Sequence, residues 1–283
     1  MNPPTDPQLV KQRVLGFYRT LAFNRHSSAQ QQIQALRAHD PVQAYPVLQP
    51  LLRKGLRVLE VGSGTGWLSN GMSHHHQVAA TGIDMNPDAV SFSQQVAQQM
   101  GVATQFECAD LFSWQPKNPF PLVVSLGVLH HTHNCLAAVR RLCADLLAPG
   151  GHALIGLYHL HGRRPFLNHF SKLQRSGATD AQMLARYREL HELIADDTHA
   201  LSWFRDQVLH PHETQHTLRE MAAPLAQAGC EVISTSINGF EPLPDGLTPI
   251  YDQEPSLEML ARERLRENRY YPGFFLFLVR KAA

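Results

Sequence analysis

From about residue 56 the chain alternates short β-branched and aliphatic runs with stretches whose apolar positions recur every three or four residues. That alternation predicts strands linked by helices. LRVLEV (56–61), VAATGID (78–84), TQFECAD (104–110), PLVVSLG (121–127) and HALIGLY (152–158) read as five strands. Helices are expected from about Trp67 to Ser73, from Asn86-Pro87-Asp88 to about Met100, and around Leu136 to Leu147, the last ending at a Pro149-Gly150-Gly151 turn. Pro87 suits a first helical turn, where its missing N–H would have no intrahelical partner. Strands in this rhythm fit right-handed crossovers and a doubly wound, mostly parallel sheet.

Two regions break the rhythm. Residues 1 to about 50 read as amphipathic helices ahead of the sheet, and 161–227 as an insertion before the chain returns with CEVISTSI (230–237). Within it, DAQMLARYRELHELIAD (180–196) predicts a helix capped by Thr179 or Asp180. Thr217 and Glu220 have capping-box spacing, Pro224 predicts a kink or restart, and Gly229 is the stop signal. GFFLFLVRK (273–281) is apolar enough for a buried strand, and 238–269 resembles a long surface connection. The expected organisation is a helical cap (1–50), a core (51–160), a helical insertion or lid (161–227) and a segment that completes the sheet (228–283).

With 283 residues, 43% of them hydrophobic and 17% charged, the chain can bury a sizeable core. Lysine plus arginine (25) nearly balance aspartate plus glutamate (24), so nothing draws the chain strongly to a phosphate backbone. No run reaches the roughly 18 apolar residues of a membrane span, and the start lacks a signal-type apolar segment, which predicts a cytoplasmic protein without membrane contact. Cys108, Cys135, Cys143 and Cys230 form no Cys-x-x-Cys pair and are expected reduced and mostly buried. Seventeen histidines raise the question of metal. His74, His75 and His76 are consecutive, expected in a solvated loop after a helix, and adjacent side chains ligate one ion awkwardly. No metal is expected.

The glycine turn after the first strand narrows the chemistry. Gly62-Ser63-Gly64-Thr65-Gly66 is followed by Trp67 where a dinucleotide-binding turn needs its last glycine, and no lysine supplies a triphosphate loop. Glu60, two residues before Gly62, would repel a pyrophosphate but suits a cation. S-adenosylmethionine carries a sulfonium, an ammonium and a ribose diol, and no phosphate. Asp84 ends the second strand and Asp110 the third, so three acids occupy the tips of successive strands, where ligands of such sheets lie.

In these motifs the chain resembles the class I S-adenosylmethionine-dependent methyltransferases. The likeness runs through Glu60–Gly66, Gly82-Ile83-Asp84, Ala109-Asp110-Leu111, the stretch Ser125 to His131 and Leu147-Ala148-Pro149-Gly150-Gly151. It implies a Rossmann-like seven-stranded α/β sheet with its last strand antiparallel. It also implies S-adenosyl-L-methionine as cofactor, with Asp84 on the ribose hydroxyls, Asp110 on the adenine, and Glu60 with Gly62 at the methionine end. Ser63, Gly64, Gly66, Met85, Leu111 and Gly127 complete the expected cofactor contacts.

The acceptor is less constrained. Methyl transfer is an in-line displacement governed by alignment, and a base is needed only where the acceptor must lose a proton. Gly127-Val128-Leu129-His130-His131-Thr132 is not the Asn-Pro-Pro-Tyr type that grips a flipped base, which argues against DNA. His130, His131, Tyr158 and His161 are candidate catalytic or acceptor-site groups, and Arg163 with Arg164 could bind a carboxylate or phosphate or form salt bridges. The segment 203–217 concentrates Trp203, Asp206, Gln207, His210, His212, Glu213 and His216, and suggests a lid. Tyr18, Phe23 and Asn24 could approach the cofactor from a front helix; core packing is the other reading of the two aromatics, as it is of Trp67. The expectation is a methyltransferase acting on a small molecule. A tRNA nucleoside enzyme is the alternative if Arg37, Arg53, Lys54, Arg140, Arg141, Arg163 and Arg164 share one face, and a catalytically silent cofactor-binding partner protein is the other.

Overall fold

The computed structural model describes residues 6–191 and 197–283. Two N-terminal helices come first, α1 (Pro7–Thr20) and α2 (Ala29–Ala38), with Asp6 and Ser28 accepting from backbone N–H groups at their starts. The sheet then begins with β1 (Arg57–Val61), α3 (Trp67–His76), β2 (Ala79–Asp84), α4 (Pro87–Met100), β3 (Gln105–Cys108) and β4 (Phe120–Leu126). It continues through α5 (Cys135–Arg141), a π-helical turn (Leu142–Leu146) and β5 (Leu147–Tyr158). Four helices follow, α6 (Leu160–Arg175), α7 (Asp180–Leu190), α8 (Asp197–Val208) and α9 (Leu218–Gln227). The chain closes with β6 (Cys230–Thr235), α10 (Thr248–Gln253), α11 (Ser256–Arg266) and β7 (Phe274–Lys281).

The seven strands are ordered β3-β2-β1-β4-β5-β7-β6, with β7 antiparallel to both neighbours and the other pairings parallel. The order reverses at β1, so the crevice between the tips of β1 and β4 is the switch point where a ligand is expected. Val58, Leu59, Leu122, Val123, Val124, Leu154 and Ile155 are fully or almost fully buried, because helices cover both faces of these central strands. α5, α9 and α10 lend Val139, Leu218, Met221 and Ile250 to one face; α3 lends Leu68 and Met72 to the other. A separate cluster around Phe166, Phe170, Met183, Tyr187 and Phe204 ties α6, α7 and α8 together.

Several local expectations change. His74–His76 form the last turn of α3 rather than a loop, with His75 Nε2 2.7 Å from the Leu36 carbonyl and His76 Nε2 2.8 Å from Asp40. The Pro149-Gly150-Gly151 turn lies within β5, opposite a register break between Phe120 and Leu122. α9 runs through Pro224 without a restart, held at its start by the Thr217–Glu220 capping box, and it packs on the sheet although it belongs to the expected insertion. The supposed surface connection 238–269 contains α10 and α11, and α11 lies against α6. α7 ends at Leu190; residues 192–196 of the predicted helix lie outside the described residues.

Candidate functional site

The turn after β1 is held by backbone. Gly62 and Ser63 donate to the Ile83 carbonyl at 2.8 and 3.0 Å, and Gly66 donates to Ser63 at 2.8 Å. Gly62, Gly64 and Gly66 have φ of 74°, 50° and 73°, the left-handed region that disfavours a side chain. Their surroundings differ. A Cβ on Gly62 would lie 2.3 Å from Val128 and one on Gly66 2.7 Å from Phe106, whereas one on Gly64 would meet nothing within 4 Å. Gly62 and Gly66 are locked by packing, and Gly64 is the bare surface.

Three acids frame that surface. Asp84 accepts from the Gly64 and Asn86 N–H groups, each at 2.8 Å, so it shapes the turn while keeping lone pairs on both oxygens. Burial lifts its carboxyl above the ordinary range, against those two bonds. Glu60 is buried, accepts from the Ser69 N–H at 3.0 Å and from the Ser69 hydroxyl, and is pushed up to about 7 by burial. Asp110 stands two residues past β3. Partial burial would raise it, but Lys11 Nζ at 2.7 Å and the Phe112 N–H at 2.9 Å prevail and hold it below the usual range. Lys11 belongs to α1, which crosses the strand tips and also offers the Tyr18 carbonyl to Asn86 Nδ2 at 3.2 Å.

Beside the tips of β4 and β5 lies a buried polar cluster. Tyr18 donates to Asp206 Oδ1 at 2.5 Å and Tyr158 to Oδ2 at 3.4 Å. His131 Nε2 is 3.9 Å from Asp206 and its ring stacks on His210 with centroids 3.7 Å apart. His130 packs against both His131 and Tyr158 at 4.3 Å. Burial lowers the affinity of His130, His131 and His210 for a proton and raises the Asp206 carboxyl and the Tyr18 and Tyr158 hydroxyls. The cluster therefore favours neutral groups.

The family model described as a methyltransferase domain matches residues 58–151, the stretch from β1 into β5. Residues 58–151 are thus similar to a methyltransferase domain, carried on a seven-stranded α/β sheet. A ubiquinone biosynthesis O-methyltransferase of Xanthomonas campestris is 32% identical over 153 residues, covering 53% of this chain and 62% of that protein. A Coxiella burnetii protein of the same name is 27% identical over 113 residues, 40% of this chain and 47% of the relative, so the matched stretch spans about half to three-fifths of these proteins. The Synechocystis magnesium protoporphyrin IX methyltransferase, solved with bound SAH, has the same fold: TM-score 0.54 and 17% identity over 98% of this chain and 100% of that one.

Around the matched stretch, other candidates take up different employment. Arg163 is not free to meet an acceptor. It is fully buried, bonds both Glu213 oxygens at 3.0 and 2.7 Å and the Gln207 carbonyl at 2.6 Å, and lies 3.8 Å over the Tyr158 ring. Arg164 points elsewhere and pairs with Glu258 of α11 at 3.3 Å. Asn24 Oδ1 sits 2.7 Å from His199 Nε2 and accepts from Trp203 at 3.2 Å, tying the chain after α1 to α8. His161 opens α6 and contacts His159, away from the Asp206 cluster. Met85 is half-buried, Leu111 and Ser63 are buried, and a Cβ on Gly127 would approach only Phe274 at 4.0 Å. Among the described residues no group of three or more His, Cys, Asp or Glu is arranged to hold a metal.

Sequence reasoning did not single out Lys11 or Glu254. Buried Glu254 accepts from the Leu218 N–H at the start of α9 and lies 3.1 Å from His159 Nε2. Neither residue sits in a motif, and only the distant pairing gives it a role. Two surface depressions, lined by Gly150, Glu231 and Lys281 and by Pro50, Pro121 and His152, lie at the amino ends of the parallel strands, remote from these groups.

Proposed function

We propose that the protein transfers a methyl group from S-adenosylmethionine to a small-molecule acceptor. The observation that carries this reading is the Gly64 surface: open, left-handed backbone whose N–H is fixed by Asp84, with Glu60 below it. The residues present fit the cofactor. Glu60 has no cationic partner among the described residues, and an ammonium would supply one at a buried carboxylate. Asp84 keeps acceptor capacity for two ribose hydroxyls. Asp110 would accept from the adenine amino group, in competition with Lys11.

Bound S-adenosylmethionine supplies an electrophilic methyl on a sulfonium. The chain's own part is alignment and exclusion of water. We assign α1 and α6–α8 as the cover over that reaction space, since Lys11, Tyr18 and Asp206 reach the strand tips from it. The names of the curated relatives favour an oxygen acceptor. The tRNA alternative lacks support, because Arg163 is buried and Arg141 is spent on Asp145 and the Trp114 carbonyl.

Asp84→Ala tests the assignment. Loss of two charge-assisted hydrogen bonds, each about 1.5–3 kcal/mol, should weaken S-adenosylmethionine and S-adenosylhomocysteine binding by roughly 100-fold or more in calorimetry, with circular dichroism unchanged. Unaltered affinity in a folded variant would refute the site. Radiolabelled donor with fractionated extract then separates acceptors; label in RNA, or binding without any transfer, would select one of the two alternatives.

A further inference from the structure

We infer that Cys143 and Cys230 form a redox-active dithiol, which reduces a hydroperoxide and closes into a reversible disulfide between the edge strand β6 and the turn that opens β5. Both residues lie at the amino ends of the parallel strands, the end of the sheet opposite the glycine turn, so the inference is independent of the methyl-transfer reading.

Two distant segments meet here. Cys230 is the first residue of β6 and pairs in register with Lys281 of β7, while Cys143 stands in the π-helical turn Leu142–Leu146. Lys281 reaches over that turn, and its Nζ donates to the Ala144 and Leu147 carbonyls at 2.7 and 2.9 Å. The residue after Cys143 is thereby held to the ladder partner of Cys230. The Cys143 S–H donates to Cys230 Sγ, and both side chains belong to the same apolar cluster. A π-helical turn is a rare device, found mostly at functional positions.

Access separates the two thiols. Cys143 is fully buried, whereas Cys230 keeps 9% of its surface exposed and lines, with Gly150, Ala226, Glu231 and Lys281, a depression of about 570 Å3. Hydrogen peroxide, a molecule not much larger than water at about 30 Å3, has ample room there. The Cys143 S–H holds the Cys230 thiol below its ordinary value against the effect of burial, and the Lys281 ammonium acts in the same direction. That same bond, with burial, pushes Cys143 well up. Cys230 therefore presents the thiolate, the form that attacks a peroxide, and Cys143 waits behind it as the resolving thiol.

The other two cysteines lack this combination. Cys108 is exposed and its Sγ lies 3.6 Å from the Met85 carbonyl; Cys135 is buried, and burial pushes its thiol up to about 12. A metal is a poor match for the pair, since among the described residues no third His, Cys, Asp or Glu completes a site.

The chemistry balances. The Cys230 thiolate attacks one peroxide oxygen, the O–O bond breaks, and the hydroxide released takes a proton and leaves as water. Cys230 is then a sulfenic acid. Cys143 loses its proton and attacks Cys230 Sγ; the S–S bond forms, the S–O bond breaks, and the departing hydroxide leaves as a second water with that proton. Two thiols are oxidised by two electrons and one hydrogen peroxide is reduced to two waters. The bridge spans β7, joining the strand on one side of it to the turn that leads into the strand on the other.

Peptide mapping tests this. The reduced, folded chain is treated with a small excess of hydrogen peroxide, alkylated and digested. Wild type should yield Cys143 and Cys230 peptides linked to each other, two hydrogens lighter than their sum, and dithiothreitol should separate them. In Cys143→Ala, which keeps the position apolar, Cys230 should stop at the sulfenic acid and take up dimedone roughly tenfold more than in wild type. Cys230→Ala should leave Cys143 reduced. A folded wild type that forms no such link, a sulfenic acid confined to Cys108, a link that resists dithiothreitol, or equal dimedone uptake in wild type and folded Cys143→Ala would each overturn the inference. The wild-type map decides by itself if either variant fails to fold.

Discussion

At the tips of β1 and β2 the surface proposed for the cofactor is mainly backbone. Gly64 is bare, Asp84 is engaged in holding the turn, and the donors come from main-chain N–H groups. Under α8 the surface is built from side chains instead: Tyr18, His131, Tyr158, Asp206 and His210 come from four separate stretches and touch one another. A backbone cradle is rigid and tolerates little change in residue type, because strand pairing sets its shape. A side-chain cluster is adjustable, and its chemistry depends on which groups hold protons. On the proposed function, the rigid surface would suit a common cofactor and the adjustable one the choice of an acceptor.

The cluster's support is the harsher place to break that contrast. Arg163→Ala leaves Glu213 buried against an empty site and should cost about 3–5 kcal/mol in urea unfolding, more than loss of an exposed pair would. In the cradle, Gly62→Ala should cost about 2–5 kcal/mol, combining overlap with Val128 and left-handed strain. Gly64→Ala, with open space around it, should cost only about 1–2 kcal/mol yet abolish cofactor binding. Similar stability losses in the two glycine variants would remove the distinction between packed and ligand-facing turn positions.

Proton linkage sharpens it further. Burial raises Glu60 to about 7, so the unfolded chain loses this proton first and the folded chain holds more protons between the ordinary carboxyl range and pH 7. Its contribution to stability is therefore present at low pH and is lost as pH rises toward 7. A bound cation favours the ionised form, so cofactor affinity should rise by up to roughly tenfold per pH unit on approaching pH 7, and Glu60→Gln should flatten that rise. The smallest expected effect belongs to Lys11→Ala. It frees Asp110 from a partly exposed ion pair worth about 0.2–1 kcal/mol, and should tighten cofactor binding about two- to fivefold. A weakening in calorimetry would mean that Lys11 assists the cofactor rather than competes with it.

Central strands such as PLVVSLG were legible because parallel strands buried on both faces become continuous apolar runs. Glu60 and Asp84 stood out for a related reason: each terminates such a run, and a strand end has a fixed place in the sheet. The histidines were less legible. His74–His76 continue a helix whose apolar face ends sooner, and their partners Leu36 and Asp40 lie more than 30 residues away in sequence.

Local order in the chain thus determined the alternation of strands and helices, the glycine turn and the acids that crown the strands. These features depend on spacings of a few residues, and steric and hydrogen-bonding rules act at that range. Tertiary structure alone decided that Arg163 is buried on Glu213, that Lys11 occupies Asp110 and that Asp206 joins Tyr18 to Tyr158. A charged or aromatic residue type carries no record of its distant neighbour. Its exposure, partner and protonation follow only when the folded chain brings the low-dielectric interior around it.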